Sequence, residues 1–257
     1  MTKDFTVIPF PSSRQAVIDA GRMGVRRHVT HGLIELDVTT ARRFIREHKV
    51  RTGEGLSFTA FFIACLARAI DENKHVHAYR NWRNQLVLFD EVDVVTMIET
   101  TVDRVALPHI VRAANKKTFR EIHQEIRAIQ ATLAKSEQKS WLLDIGPYAP
   151  TFARGVFYWA LTKNPHWLKR IAGTVIATSV GMFGKGTGWG FGFLPMHTLG
   201  VTIGGIAEKP GVVEGRIEIR EYLCVTVSLD HDIIDGAPAA RFVQRLKELV
   251  EGGYGLE

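Results

Sequence analysis

Cysteine is scarce in this chain: Cys65 and Cys224 are the only two among 257 residues. Each sits in an apolar segment, so buried free thiols are expected rather than a disulfide, and a reducing cytoplasmic setting fits. No uninterrupted apolar run reaches about 18 residues and no N-terminal apolar region is present, so neither a spanning helix nor a signal peptide is expected. Repeats and low-complexity linkers are missing too, which leaves one large domain over residues 1–257 as the simplest organisation. Dense basic tracts interleaved with aromatics are lacking, so the net charge of +6 argues for a small anionic ligand rather than nucleic acid. The glycines at 181, 184, 186, 188, 190 and 192 lack both the Gly-Lys-Ser/Thr ending of a triphosphate loop and the dinucleotide spacing. They read as a flexible, partly apolar loop. His28 with His31, and His75 with His77, have no third ligand at a convincing spacing, so no metal is expected. Arg22, Arg26 and Arg27 read as a solvated helix face, as do Arg42, Arg43 and Arg46.

What is present is a mixture of helical and strand periods. Ser12 or Ser13 is placed to cap a helix running to about Arg27. A strand follows over 29–38, then a short basic helix through Lys49 capped by Thr39 or Thr40. Phe58, Phe61, Phe62, Cys65, Leu66, Ala69 and Ile70 recur at helical spacing after Ser57, and Phe119, Ile122, Ile126, Ile129 and Leu133 do the same. Asn81–Asn84 reads as a turn before a strand at Leu86–Phe89, with further strands over 92–102 and 105–111. Residues 141–172 are rich in aromatics (Trp141, Tyr148, Phe152, Phe157, Tyr158, Trp159, Trp167) and punctuated by prolines, so one or two short helices are expected there. Strands at 173–180 and 198–206 flank the glycine-rich loop. Ile217, Ile219, Leu223, Val225, Val227 and Leu229 then alternate along a long half-buried strand, and Pro238 fits the first turn of a last helix. The fold class is α/β or α+β, with a mixed sheet flanked by helices.

The most specific stretch is VSLDHDIIDGAPAARF, Val227 to Phe242. A strand ends at His231, Asp235-Gly236 follows four residues later, and a helix begins. This stretch resembles the signature of the dihydrolipoyl acyltransferase catalytic domains of 2-oxo acid dehydrogenase complexes and of the related chloramphenicol acetyltransferases. Three other segments agree in order: LSFTAFFIACLARAI from Leu56, LPHIVRAANKKTF from Leu107, and IATSVGMFG from Ile176. The resemblance runs from about Pro9 to Val250 apart from 140–172, which is a longer and more aromatic insertion.

The resemblance implies a trimeric chloramphenicol acetyltransferase-like fold that moves an acyl group between coenzyme A and a thiol or hydroxyl acceptor. Histidine suits the base in such a reaction, because its pKa lies near neutrality, and His231 matches that base. The oxyanion needs a donor. By register this falls on Thr178, with Ser179 second because alternation turns it the other way. Asp235 matches an aspartate that fixes the loop, paired with Arg14, and Gly236 is expected to free the turn. Lys116 and Lys117 fall in the family's cofactor region, where coenzyme A phosphates are one reading and a solvated Lys-Lys step the other. The family's arginine after the histidine is Asp232 here, a carboxylate that would favour the imidazolium. The lipoyl and subunit-binding domains of the family are not among these residues, nor is a covalently attached lipoyl group. Gly252–Gly255 stand where the family has a hydrophobic tail, and Leu256-Glu257 reads as an added remnant. The expectation is a free homotrimer using acyl-CoA and a small-molecule or carrier acceptor. Two alternatives stay open: a stand-alone dihydrolipoyl acyltransferase served by a lipoyl domain on another chain, and a non-catalytic trimeric scaffold. A helix near 151–162 is expected to cover the acceptor side of the site.

Overall fold

The main sheet runs, from edge to edge, through strands at 29–37, 216–230, 199–213, 175–179, 94–99 and 106–111. The computed structural model describes residues 4–11, 14–99, 106–133, 149–181 and 186–256. Ser12, Ser13, Trp141, Tyr148 and Gly184 lie outside them. In chain order the elements are α1 (Arg14–Gly24), β1 (Val29–Asp37), α2 (Thr39–Thr52), α3 (Phe58–Asp71), a small hairpin of β2 (Tyr79–Arg80) and β3 (Leu86–Val87), β4 (Val94–Glu99) and β5 (Ala106–Val111). Then come α4 (Phe119–Leu133), α5 (Thr151–Lys163), α6 (Pro165–Ala172), β6 (Val175–Ser179), β7 (Leu199–Val213), β8 (Arg216–Asp230) and α7 (Gly236–Glu251). β6 runs parallel to both β4 and β7, while β1, β5 and β8 each pair antiparallel to a neighbour. The sheet is therefore mixed, as the sequence leads one to expect.

Local chemistry accounts for most boundaries. The Ser57 hydroxyl accepts from the Ala60 amide at 3.3 Å and starts α3. At α4, Thr118 and Glu121 form a reciprocal capping box: Thr118 N–H donates to Glu121 Oε2 at 2.7 Å and Glu121 N–H to Thr118 Oγ1 at 3.3 Å. α2 differs from expectation. Neither Thr39 nor Thr40 caps it; the Asp37 carboxylate instead accepts from the Thr39 amide and hydroxyl at 3.0 and 2.6 Å. Gly53 ends α2 with φ of 77°, a conformation that favours glycine. Asn164 accepts from the Trp167 amide at 3.2 Å with Pro165 in the first turn of α6. β7 and β8 run past the end of β1 because Glu214 and Gly215 turn them with φ of 49° and 77°.

One face of the sheet carries Val175, Ala177, Leu199, Val201, Ile203, Val225, Val227 and Leu229, and these join α3, α4 and α7 in a single apolar core. α3 is the keystone: ten of its residues, from Ala60 to Ile70, are buried. Each large side chain fully buried there contributes about 1.5–3 kcal/mol. Leu256 packs in the same core and is 6 % exposed, so it is not an idle remnant. Cys65 and Cys224 are free and buried, packing residues as expected. A second, smaller cluster joins α1, the β2–β3 hairpin, α5 and α6 through Ala20, Tyr79, Leu161 and Leu168. No described helix is long and apolar enough to cross a membrane.

Candidate active site

The histidine of the Val227–Phe242 stretch follows β8 directly, in a turn over 231–233. That turn is tightly held. Ile233 and Ile234 amides donate to the Asp230 carbonyl, both at 3.1 Å, and the His231 amide donates to the His28 carbonyl at 2.8 Å. Asp230 Oδ1 accepts from the Asp232 amide at 3.1 Å, and Oδ2 accepts from Arg27 Nη1 at 3.0 Å. Arg27 also donates to the His197 carbonyl at 2.8 Å. Burial pushes the Asp230 carboxyl above its usual range, against the pull of the Arg27 charge. The imidazole of His231 is exposed. A rigid backbone thus presents a ring with no side-chain partner among the described residues.

Several expectations change at this loop. Asp232 faces His28, Oδ1 to Nδ1 at 2.8 Å. The contact raises the His28 pKa and lowers that of Asp232. Arg27 is not solvated: its side chain is 17 % exposed against 5 % for Asp230. Asp235 precedes α7 with no side-chain cap bond, and Arg14 opens α1. Both are exposed, and the described residues show no ion pair between them. The Asp19 carboxylate is what engages α1's surroundings, accepting from Arg154 Nε at 2.7 Å, Gln15 and Arg22. Gly236 is the first residue of α7, its φ is not positive, and a Cβ there would meet nothing within 4 Å. The turn does not use the freedom expected of it. Lys116 and Lys117 are both paired, with Glu91 Oε1 at 2.9 Å and Glu125 Oε2 at 2.6 Å. His77 is buried, its Nε2–H donating to the Phe89 carbonyl at 3.2 Å.

Thr178 lies on the other side of the sheet from the core. It pairs with Thr202, which pairs with Thr226, while Ser179 pairs with the core residue Ile203. On this hydroxyl-rich face Ser228 Oγ and His31 Nδ1 are 2.8 Å apart. The glycine-rich segment 186–195 lies across it rather than hanging loose. The Gly205 amide donates to the Gly188 carbonyl at 2.9 Å. A Cβ on Gly192 would sit 2.3 Å from Thr202 Oγ1, and one on Gly190 2.6 Å from Val180 Cγ2. The aromatic side chains between these glycines reach outward to other elements. Trp189 Nε1–H donates to the Ile34 carbonyl at 3.3 Å, and Phe191 meets His31 edge-on at 5.3 Å. A cavity of about 10 Å³ remains beside Thr178. α5, the helix expected over the site, packs against α1 and α6.

Within one chain Thr178 and His231 are far apart. From Thr226, opposite Thr202 and hence in line with Thr178, His231 is five residues further along β8. That is roughly 17 Å along the strand and 10 Å across two strand spacings, or about 20 Å. Arg27, His28, His31, Ser228 and Asp230 were not legible as site residues. Their contacts span 197 to 204 positions in sequence, and no local pattern signals them.

Known proteins share this fold. A family model described as 2-oxoacid dehydrogenases acyltransferase (catalytic domain) matches residues 171–255. The lipoamide acyltransferase component of the branched-chain alpha-keto acid dehydrogenase complex of Bacillus subtilis is 24 % identical over 251 residues, covering 95 % of this chain and 52 % of that protein. The dihydrolipoyllysine-residue succinyltransferase component of the 2-oxoglutarate dehydrogenase complex of Rickettsia felis is 27 % identical over 210 residues, 81 % of this chain and 43 % of that protein. The chain thus spans about half the length of the curated relatives it matches. Among solved structures, a probable dihydrolipoamide acetyltransferase from Listeria monocytogenes superposes with a TM-score of 0.74 at 20 % identity, covering 97 % of this chain and 95 % of that one. A chloramphenicol acetyltransferase superposes with a TM-score of 0.53 at 16 % identity, covering 90 % and 94 %. The chain therefore has the fold of the dihydrolipoamide acyltransferase cores and of chloramphenicol acetyltransferase, and its residues 171–255 carry the sequence pattern of the 2-oxoacid dehydrogenase acyltransferase catalytic domain.

Proposed function

We propose that this protein is a coenzyme A-dependent acyltransferase whose sites form between copies of the chain in a homotrimer. The observation that carries the reading is His231: an exposed imidazole, unpartnered within the described chain, on a turn fixed by four backbone and side-chain anchors. With about 20 Å between the two within one chain, the Thr178 that serves this ring comes, on this reading, from a second copy. In the proposed reaction the His231 imidazole takes the proton of a thiol or hydroxyl acceptor. The acceptor's sulfur or oxygen attacks the thioester carbonyl, and the Thr178 hydroxyl donates to the oxyanion. Collapse breaks the carbon–sulfur bond, and the departing coenzyme A thiolate recovers the proton from His231. Asp235 and Arg14 form no ion pair with each other among the described residues, so on this reading any fixing role for them belongs to the assembled trimer. Lys116 and Lys117 remain candidates for the coenzyme A phosphates, at the expense of their present carboxylate partners.

A second reading names the acceptor: a dihydrolipoyl thiol on a separate lipoyl domain. The relatives, a lipoamide acyltransferase and a dihydrolipoyllysine-residue succinyltransferase, favour it over a scaffold that does not turn over. Assays with acetyl-CoA, with and without dihydrolipoamide, separate these readings. His231→Ala and Thr178→Ala are each expected to lose transfer, by ~10²–10⁴-fold for the base, while remaining trimeric. Mixed after unfolding and refolding together, the two variants should regain about a quarter of wild-type activity, since one interface in four unites an intact His231 with an intact Thr178. Full activity of either variant, or no recovery in verified mixed trimers, overturns the shared-site reading.

A further inference from the structure

The cover over Thr178 approaches the sheet closely at its glycines, and this restricts what can lie beside the hydroxyl. A side chain is excluded at Gly190 and Gly192 of segment 186–195 and at Gly204 and Gly205 of β7. A Cβ on Gly204 would be 2.2 Å from the Gly188 carbonyl oxygen, and one on Gly205 2.1 Å from that of Gly186. The segment is anchored along its length by Trp189 to the β1 backbone, by Phe191 against His31, and by the Phe193 ring against Gly21, where a Cβ would have only 2.9 Å. What remains beside Thr178 is the cavity of about 10 Å³, walled by Ile176, Phe193, Leu194, Gly200, Thr202 and Ser228. Space of that size admits one group of roughly water to methyl size. Its floor is shallow for the same reason: a Cβ on Gly200 would be 2.8 Å from Leu194 Cδ1 and 3.2 Å from Ile176 Cγ2.

We infer that Leu194 and Gly200, under the glycine cover, set the size of the transferred acyl group, and that the closed site takes acetyl in preference to longer chains. The inference rests on Thr178 being the oxyanion donor. A hydroxyl bonded to the carbonyl oxygen at about 2.8 Å places the first alkyl carbon within about 5 Å of Oγ. The methyl of an acetyl group then meets the cavity, and a propyl chain meets Leu194 or the cover. The cover cannot retreat by small shifts, because its backbone is hydrogen-bonded to β7 and held through its outward aromatics. The helix expected near 151–162 over the acceptor side does not line this cavity. The walls come from 192–194 instead.

The test uses the full-length chain and a series of donors: acetyl-, propionyl-, butyryl- and hexanoyl-CoA, with dihydrolipoamide as acceptor. Wild type should prefer acetyl to butyryl by at least about tenfold in kcat/KM, the scale at which one or two methylenes are discriminated. Leu194→Ala should reduce that ratio tenfold or more, and the milder Leu194→Val, less apt to disturb folding, should move it in the same direction. Gly200→Ala should depress transfer from every donor, and adding Leu194→Ala should recover acetyl transfer by vacating the space its Cβ enters. A flat chain-length profile in wild type, or a ratio unmoved in a folded Leu194 variant, overturns the inference while leaving acyl transfer standing. Absence of transfer from any donor overturns the acyltransferase reading, and the inference with it.

Discussion

The pinning of His231 turns on one buried ion pair. Asp230 ends β8 with its side chain 5 % exposed, and Arg27 covers it from the segment after α1. The burial that raises the Asp230 pKa shows how costly this carboxylate is without its partner. Arg27→Ala leaves a buried, uncompensated charge and also removes a donor from the His197 carbonyl. It should destabilise the fold by about 3–5 kcal/mol, read as a lower denaturant midpoint. Arg27→Met, which fills similar volume, should be no better, because the carboxylate stays. Arg27→Ala with Asp230→Asn should recover part of the loss, since a neutral amide costs less to bury. A double variant no more stable than Arg27→Ala would show that the pair is not what holds the turn. His28 and Asp232 are a different matter. His28 is 83 % exposed at the side chain, so their contact is worth little to stability.

At the level of elements, the contrast between two glycines separates packing from flexibility. Gly204 in β7 faces the cover, and its Cβ would lie 2.2 Å from one backbone oxygen and 2.9 Å from another. Gly204→Ala should cost about 1–3 kcal/mol by forcing the cover off the sheet. Gly155 lies mid-helix in α5 with nothing within 4 Å of its Cβ position, so Gly155→Ala should stabilise by about 0.4–1 kcal/mol. Thermal unfolding of both variants checks the pair, and equal effects would contradict the close approach. The same two glycines explain what was legible. α3, α4 and the long alternating β8 were readable because their pattern is local: apolar spacing, and for α3 the Ser57 cap. His231 was readable because the strand, the turn and the helix around it are consecutive. The glycines at 190 and 192 looked like part of a flexible loop because their reason lies elsewhere, in the side chains of Thr178, Val180 and Thr202 that they cross. The capping of α2 by Asp37 was misplaced by two residues, since the side chain acts from the strand end rather than from the helix start. The aromatics near 151–162 were assigned to a cover. In the described residues Leu161 and Tyr158 face α1 and α6, while Phe152, Trp159 and Trp167 stay more than half exposed. Composition alone does not separate these two faces.

For the whole molecule, stability and pH are tied together by histidines buried in the neutral form. His77 and His197 both have their pKa pushed down to about 4, in each case by burial first. His77 Nε2–H donates to the Phe89 carbonyl, and His197 Nε2–H to the Ala172 carbonyl at 2.6 Å. The Nδ1 atoms of both are buried without a hydrogen-bond partner among the described residues, so none of these accepts a second proton's hydrogen bond. In the unfolded chain both rings titrate near 6.5. The sign follows from proton binding. Between pH 6.5 and about 4 the unfolded state holds protons on these rings that the folded state does not, so stability falls as pH falls. Above 6.5 both states are neutral and the contribution is constant. Near pH 5 two such rings give a slope of up to about 2.5 kcal/mol per pH unit. Urea unfolding at fixed protein concentration, which holds any subunit equilibrium constant, should show this decline from pH 6.5 to 4.5. His77→Phe keeps an aromatic ring against Phe89 and removes the titration, so it should take roughly 1.2 kcal/mol per pH unit off the slope near pH 5 even if it lowers stability at pH 7. His28 works in the opposite sense and cannot imitate the effect: its pKa is raised by Asp232, so it gains rather than loses favourable charge as pH falls toward 6. If His77→Phe leaves the slope as it was, the acid sensitivity belongs to other groups, and the neutral burial of His77 is not what the fold depends on.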